Sequence, residues 1–230
     1  MKQATIKSRK GGRESFSERA YRELRRLILD NQLSVGAQYM EQEVAELLNM
    51  SRTPTREALI RLANEGLVEV RPRHGMRIRP ISLRDMREIY EVITSLEATA
   101  AALAASNGLA ADQVDGLRQA VADMDRALKD DELESWAEAD ERFHRLLVEF
   151  SNNDRLITLV RTFIDQSHRM RMLTLRLRPK PTTSNRDHRA VIDAIARGDA
   201  DAARRLHRTH REQSGRMLIE LLRRQGLTQL

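Results

Sequence analysis

The 230-residue sequence predicts a mostly α-helical chain in two unlike parts, a small unit of three helices and a β-hairpin followed by a larger all-helical bundle. Three observations predict this. Ala, Leu, Arg and Glu dominate while aromatic residues make up 3%, a composition that favours helices packed through aliphatic side chains. Five prolines and ten glycines supply too little turn chemistry for an all-β architecture. Beyond Ser82, apolar residues recur at helical spacing to nearly the end of the chain.

Residues 1–14 are polar and hold Lys2, Lys7, Arg9, Lys10 and Arg13 without apolar periodicity, which predicts a disordered basic tail. Ser15 or Ser17 then caps a helix with Ala20, Leu24, Leu27 and Ile28 on one face. Asn31 and Gly36 bracket a loop, and a short helix follows over 41–48 with Val44, Leu47 and Leu48 apolar. Residues 49–53 make a tight connection to a helix that runs to Asn64 with Leu59, Ile60, Leu62 and Ala63 inward. Pro54 fits in its first turn, where the missing N–H costs nothing, and Gly66 ends it. Strands over 67–71 and 76–79 flank a turn at 72–75. Helix, short helix, helix and hairpin in that order describe a winged helix-turn-helix domain over 15–80.

Pro80 and Ser82 mark a linker at 81–84, and residues 85–225 form an all-α domain. Its predicted helices cover 83–107, 111–129, 132–151, 153–178, 182–197 and 199–225, separated at Asn107-Gly108, Asn152-Asn153, Pro179 to Pro181 and Gly198. Met86, Ile89, Tyr90, Ile93 and Leu96 make one inward stripe, and Trp136, Phe143, Leu146, Leu147 and Phe150 another. Six such helices make a bundle.

The chain has no cysteine, which excludes disulfides, Cys-based zinc sites and thiol nucleophiles. It has no apolar run near the ~20 residues of a membrane span, and its N-terminus lacks the apolar core of a signal peptide, so a soluble cytoplasmic protein is expected. Charge is placed unevenly. Residues 1–80 carry 16 Lys+Arg against 10 Asp+Glu, whereas 81–230 carry 24 of each. Such an excess suits a polyanion partner for the first domain alone, or a solvated basic tail.

Residues 50–59 decide between these readings. Arg52 and Arg56, four apart, share one face at a helix N-terminus, with the hydroxyls of Thr53 and Thr55 beside them. In a helix-turn-helix that end enters the major groove, where arginine reads guanine and hydroxyls hold phosphates. Arg71, Arg73, His74 and Arg77 make the hairpin basic, and Gly75 lets its tip approach DNA. A generic helix with solvated arginines lacks this order of elements. The stretch SRTPTREALIRLANEGLVEVRPRHGMRI, with EQEVAELLNM before it, resembles the winged-helix signature of the GntR family of regulators. The resemblance implies contacts to double-stranded DNA by Arg52, Thr53 and Arg56, with His74 and Gly75 at the wing tip. Gln42 stands where some members carry an arginine.

Five of the six histidines fall in the second domain. Asp140 and His144, four apart, converge on one side of a helix, and His188, His207 and His210 lie on later helices, with His168 alone on a middle one. A carboxylate with three imidazoles suits a divalent transition metal such as Zn, Ni, Mn or Fe; scattered core and surface histidines are the alternative. Asp140-Glu141-Arg142-Phe143-His144, with Asp187-His188 through Ile195 and Gly198-Asp199-Ala200, resembles the FCD effector domain of the same family. The resemblance implies Asp140, His144, His188 and His210 as metal ligands, with His207 the rival to His210. It also implies a small carboxylate effector near the metal. The arginine that many members carry before Leu-Glu is absent at Leu96-Glu97, leaving Thr94, Ser95 or Arg171 to supply polar contacts.

The sequence therefore predicts a homodimeric, effector-controlled repressor on a roughly palindromic operator. A metal-dependent hydrolase and an architectural DNA-binding protein with a structural metal are the rival readings.

Overall fold

The computed structural model describes residues 14–71 and 75–226. The first domain comprises α1 (Phe16–Leu29), β1 (Gln38–Tyr39), α2 (Glu41–Leu47), α3 (Arg52–Asn64), β2 (Val68–Arg71) and β3 (Gly75–Ile78). Ser15 is the cap of α1, accepting from the Glu18 N–H at 3.1 Å, while the Ser17 hydroxyl reaches Glu57 on α3. The sheet has three antiparallel strands in the order β1-β3-β2, with Tyr39 opposite Met76 and Val68 opposite Ile78. The two-residue β1 lies between the loop expected at 31–36 and α2, where the sequence reads no element, because two residues cannot show alternation.

Ala20, Leu24 and Ile28 of α1 share one buried cluster with Ala58, Leu59 and Leu62 of α3 and with Met76 and Ile78 of β3. The inward stripe of α3 is Thr55, Ala58, Leu59 and Leu62, the i, i+3, i+4, i+7 series. Ile60 lies off it and is 50% exposed, and Leu47 on α2 is 53% exposed, so the expectation that Ile60 points inward fails.

The second domain comprises α4 (Leu83–Asn107), α5 (Ala111–Lys129), α6 (Leu133–Glu149), α7 (Asp154–Thr174), α8 (Thr182–Ala196) and α9 (Ala200–Arg224). Ser82 and Asp85 form a reciprocal cap, Oγ accepting from the Asp85 N–H at 3.0 Å and Oδ2 from the Ser82 N–H at 2.9 Å. Ile81 is buried with Met86, Ile89, Met170 and Leu218, and α4 already begins at Leu83 inside the stretch expected as linker. α4 packs on α9 and α7, and α5 packs on α6 and α8. Gly215 allows the close crossing of α4 and α9, since a Cβ there falls 2.7 Å from Tyr90 Cδ1.

α7 ends four residues before the 178 expected, with the Leu177 N–H returning to the Thr174 carbonyl at 3.0 Å ahead of Pro179. Its middle also meets the first domain. Asp165 pairs with Arg25 of α1 through both guanidinium edges, and Gln166 Nε2 donates to the Glu65 carbonyl at 3.1 Å.

Candidate metal centre and nucleic-acid interface

α3 presents Arg52, Thr53 and Arg56 to solvent at its N-terminal end. Arg52 Nε donates to Gln42 Oε1 at 2.6 Å, so the glutamine of the supporting helix fixes the first arginine of the recognition helix. Thr55 corrects the sequence expectation. It is fully buried and its hydroxyl donates to the Ser51 carbonyl at 3.0 Å, so it serves the helix start and the core rather than DNA.

Gly75 is corrected in its reason. Its φ is +76°, and a Cβ would lie 2.0 Å from the Tyr39 carbonyl oxygen, so β1 passing against β3 demands glycine there. Arg71 is exposed beside Glu69 at 3.0 Å, and Arg77 is held by the Gly36 carbonyl at 3.1 Å. Arg73 and His74 lie outside the described residues.

Inside the second domain, α6, α8 and α9 bring four of the sequence-selected residues together. Ring nitrogens of His144, His188 and His210 lie within 4.8 Å of one another, all buried. His188 Nε2 stands 3.2 Å from His210 Nε2. Asp140 Oδ1 lies 3.7 Å from His144 Nε2 and 3.8 Å from His188 Nε2.

Glu97 is the residue of the buried cluster that sequence reasoning missed. It is fully buried on α4, 3.1 Å from His144 Nδ1 and 2.8 Å from His207 Nε2, and it accepts two hydrogen bonds from Arg211 at 2.7 and 2.5 Å. A glutamate four turns into an apolar stripe signals such a role only when its partners, more than 40 residues away, are known. His207 thus faces Glu97, whereas His210 faces the other imidazoles. His168 lies 2.8 Å from Glu141.

Electrostatics match this geometry. Burial raises the Asp140 carboxyl, but His144, Arg171 and His188 outweigh it and hold the group well below the usual carboxylate range. Burial likewise raises Glu97, and Arg211 with His144 and His207 outweighs it in the same direction. Burial drives His188 well below its ordinary value, with His210 and His144 adding to the effect, and takes His207 to about 3 against the pull of Glu97. His210 is also lowered by burial, against the Asp187 carboxylate.

Neutral imidazoles and an ionised carboxylate are the forms that ligate a metal. Two donor sets are conceivable, Asp140-His144-His188-His210 and Glu97-His144-His207. The first fits better. Glu97 is already saturated by the Arg211 guanidinium, whereas Arg171 Nε stays 3.7 Å from Asp140 Oδ2 without hydrogen bonding. Glu97 behind His144 and Asp187, 3.6 Å behind His210 Nδ1, would then be the carboxylates that orient the imidazoles toward a metal.

The three expected effector residues are divided. Arg171 is buried beside Asp140, whereas Thr94 and Ser95 line a groove of about 650 Å³ between α4 and α9, with Tyr90, Arg211 and Gly215. Ser95 is exposed and spends its hydroxyl on the Glu91 carbonyl at 3.0 Å.

Residues 16–78 match the model of bacterial regulatory proteins of the gntR family, and residues 88–213 match the FCD domain. A transcriptional regulator of the helix-turn-helix type from Streptomyces ambofaciens is 35% identical over 83% of this chain and 79% of its own. The transcriptional repressor RspR of Escherichia coli is 27% identical over 90% of each chain. The solved structure of E. coli McbR/YncC shares the fold, with a TM-score of 0.79 at 20% identity over 90% of this chain and 99% of that one.

Proposed function

The chain belongs to the gntR family of bacterial regulatory proteins and carries its FCD domain, and on that premise we propose that it is a homodimeric repressor controlled by a small organic acid sensed at a metal centre. It is a DNA-binding transcriptional regulator and not an enzyme. Among the described residues no helix is long and apolar enough to cross a membrane. The repressor reading draws on RspR, a relative that bears that description.

Asp140, His144, His188 and His210 hold the metal, a divalent ion such as Zn, Ni, Mn or Fe. The observation that carries this is the 3.2 Å approach of two neutral, buried imidazole nitrogens, His188 Nε2 and His210 Nε2, beside an ionised buried carboxylate. When bound, the ion supplies Lewis acidity to a carboxylate ligand. Glu97 and Asp187 fix the ring orientations, and Arg171 offers positive charge to the incoming acid.

Arg52, Thr53 and Arg56 enter the major groove of each operator half-site, and Arg73 and His74 contact the DNA backbone. Control needs an effector with different affinity for the DNA-competent and DNA-incompetent arrangements. α7 supports such coupling because it touches the first domain through Asp165 and Gln166 and the metal cluster through Arg171. The test is a mobility-shift titration of the metal-loaded protein on its operator. Sequence-selective binding that weakens with a small organic acid supports the reading, and its absence at moderate salt removes it.

A further inference from the structure

Among the described residues, Arg171 and Arg178 carry buried donors with no hydrogen-bond acceptor. Arg171 is 4% exposed, its Nη1 reaches the Ser167 hydroxyl at 3.3 Å, and its Nε and Nη2 have no acceptor. Arg178, in the turn left by the early end of α7, lays its guanidinium 4.9 Å over the Trp136 ring. Its Nε and Nη2 are likewise buried without an acceptor, and so is the Tyr90 hydroxyl on α4. Native interiors seldom leave so many donors unsatisfied in one region, and buried guanidinium groups call for an anion.

α6 sets the spacing between these donors and the histidine cluster. Trp136, Asp140 and His144 stand on successive turns of one face. At a rise of about 1.5 Å per residue, Trp136 is about 6 Å from Asp140 and about 12 Å from His144 along the axis. Arg178 over Trp136 therefore marks one end of a row, Arg171 beside Asp140 its middle and the histidine cluster its other end.

We propose that the effector is a short aliphatic dicarboxylate, one carboxylate directed to the His144-His188-His210 cluster and the other held by Arg171 and Arg178, with the Tyr90 hydroxyl donating. This rests on the metal-centre reading above and names the ligand class of that site. Burial pulls Arg178 below its ordinary value, Asp140 opposes this and Arg171 adds to it, so a second carboxylate relieves a charge imbalance already built in. A monocarboxylate leaves Arg178 unanswered.

The experiment uses the full chain loaded with Zn²⁺, titrated calorimetrically with succinate, glutarate and adipate and with the chain-matched monocarboxylates butyrate, valerate and hexanoate. Trp136, the one tryptophan, reports the Arg178 end by its emission. At least one dicarboxylate is expected to bind about tenfold or more tighter than its matched monocarboxylate and alone to shift the emission. Arg178→Gln is expected to abolish that preference, and Arg178→Lys to keep part of it, with Zn²⁺ stoichiometry as the check that each variant is folded. Zn²⁺ uptake with both acid classes binding alike, or a preference that survives Arg178→Gln, overturns the dicarboxylate clamp alone. Failure to bind Zn²⁺, or Zn²⁺ uptake with no acid binding, overturns the proposed sensing site and the clamp with it.

Discussion

Arg169 on α7 donates through Nη1 to the main-chain carbonyl of Arg79, 2.8 Å away, where the chain leaves the first domain. Arg171, two residues on, lies 3.7 Å from Asp140 in the second domain's interior. Asp165 and Gln166, one turn earlier, bind α1 and the end of α3. A single helix thus borders the candidate effector centre on one side and the DNA-binding domain on the other.

Asp165→Ala breaks the Arg25 pair across the domains and leaves a partly buried guanidinium without its carboxylate. The expected result is reduced coupling: operator affinity of the effector-free protein changes by less than about fivefold, while the effector's influence on it shrinks. Mobility shifts with and without the acid measure both quantities. An undiminished effector response removes α7 from the coupling path.

Substitutions around the histidines separate ligands from supports. His188→Ala removes a proposed ligand and is expected to abolish stoichiometric metal binding. Glu97→Gln leaves the ligands in place but loosens His144, and is expected to weaken metal binding by about 10- to 100-fold. His207→Ala keeps metal stoichiometry, because His207 faces Glu97 and not the cluster. Metal analysis after dialysis against a graded chelator reads all three.

The metal-free protein loses stability as pH falls below about 6.5, the ordinary histidine value. His188, His207 and His210 are lowered in the fold, so the unfolded chain takes up protons first and gains on the folded one. Each contributes fully above about pH 6.5 and then loses about 1.4 kcal/mol per pH unit until its folded value is reached. Asp140 and Glu97, also lowered, contribute above their unfolded values and add their own loss only below about pH 4.5. Melting temperature against pH on chelator-treated protein tests this, and a flat profile between about pH 7 and 5 contradicts it.

On the DNA side, Arg56→Ala is expected to cost about 1–3 kcal/mol of operator affinity and to leave the melting temperature nearly unchanged. Thr55→Ala does the reverse, since its hydroxyl binds Ser51 inside the domain: stability falls by about 1 kcal/mol and affinity follows only through folding. Thermal melts and mobility shifts on both variants give the contrast.

The limits of several helices were legible because their signals are local. Long runs of helical periodicity placed α4 and α5 at their observed limits, and Ser15, Ser82 and Gly66 carry their meaning within a turn or two. The convergence of Asp140, His144, His188 and His210 came from the family pattern, since spacing along three separate helices says nothing of their meeting. Thr55 misled because a threonine beside two arginines has the composition of a phosphate contact, and only the helical phase shows it inward. Glu97, Trp136 beneath Arg178 and the short β1 depend on partners distant in sequence, which no local pattern records.

The most direct test is an anomalous-difference map from crystals of the protein purified without added metal. A metal peak about 2.0–2.2 Å from Nε2 of His144, His188 and His210 and from an Asp140 oxygen is the result expected. The absence of any peak there, or a peak between Glu97, His144 Nδ1 and His207, contradicts the proposed centre.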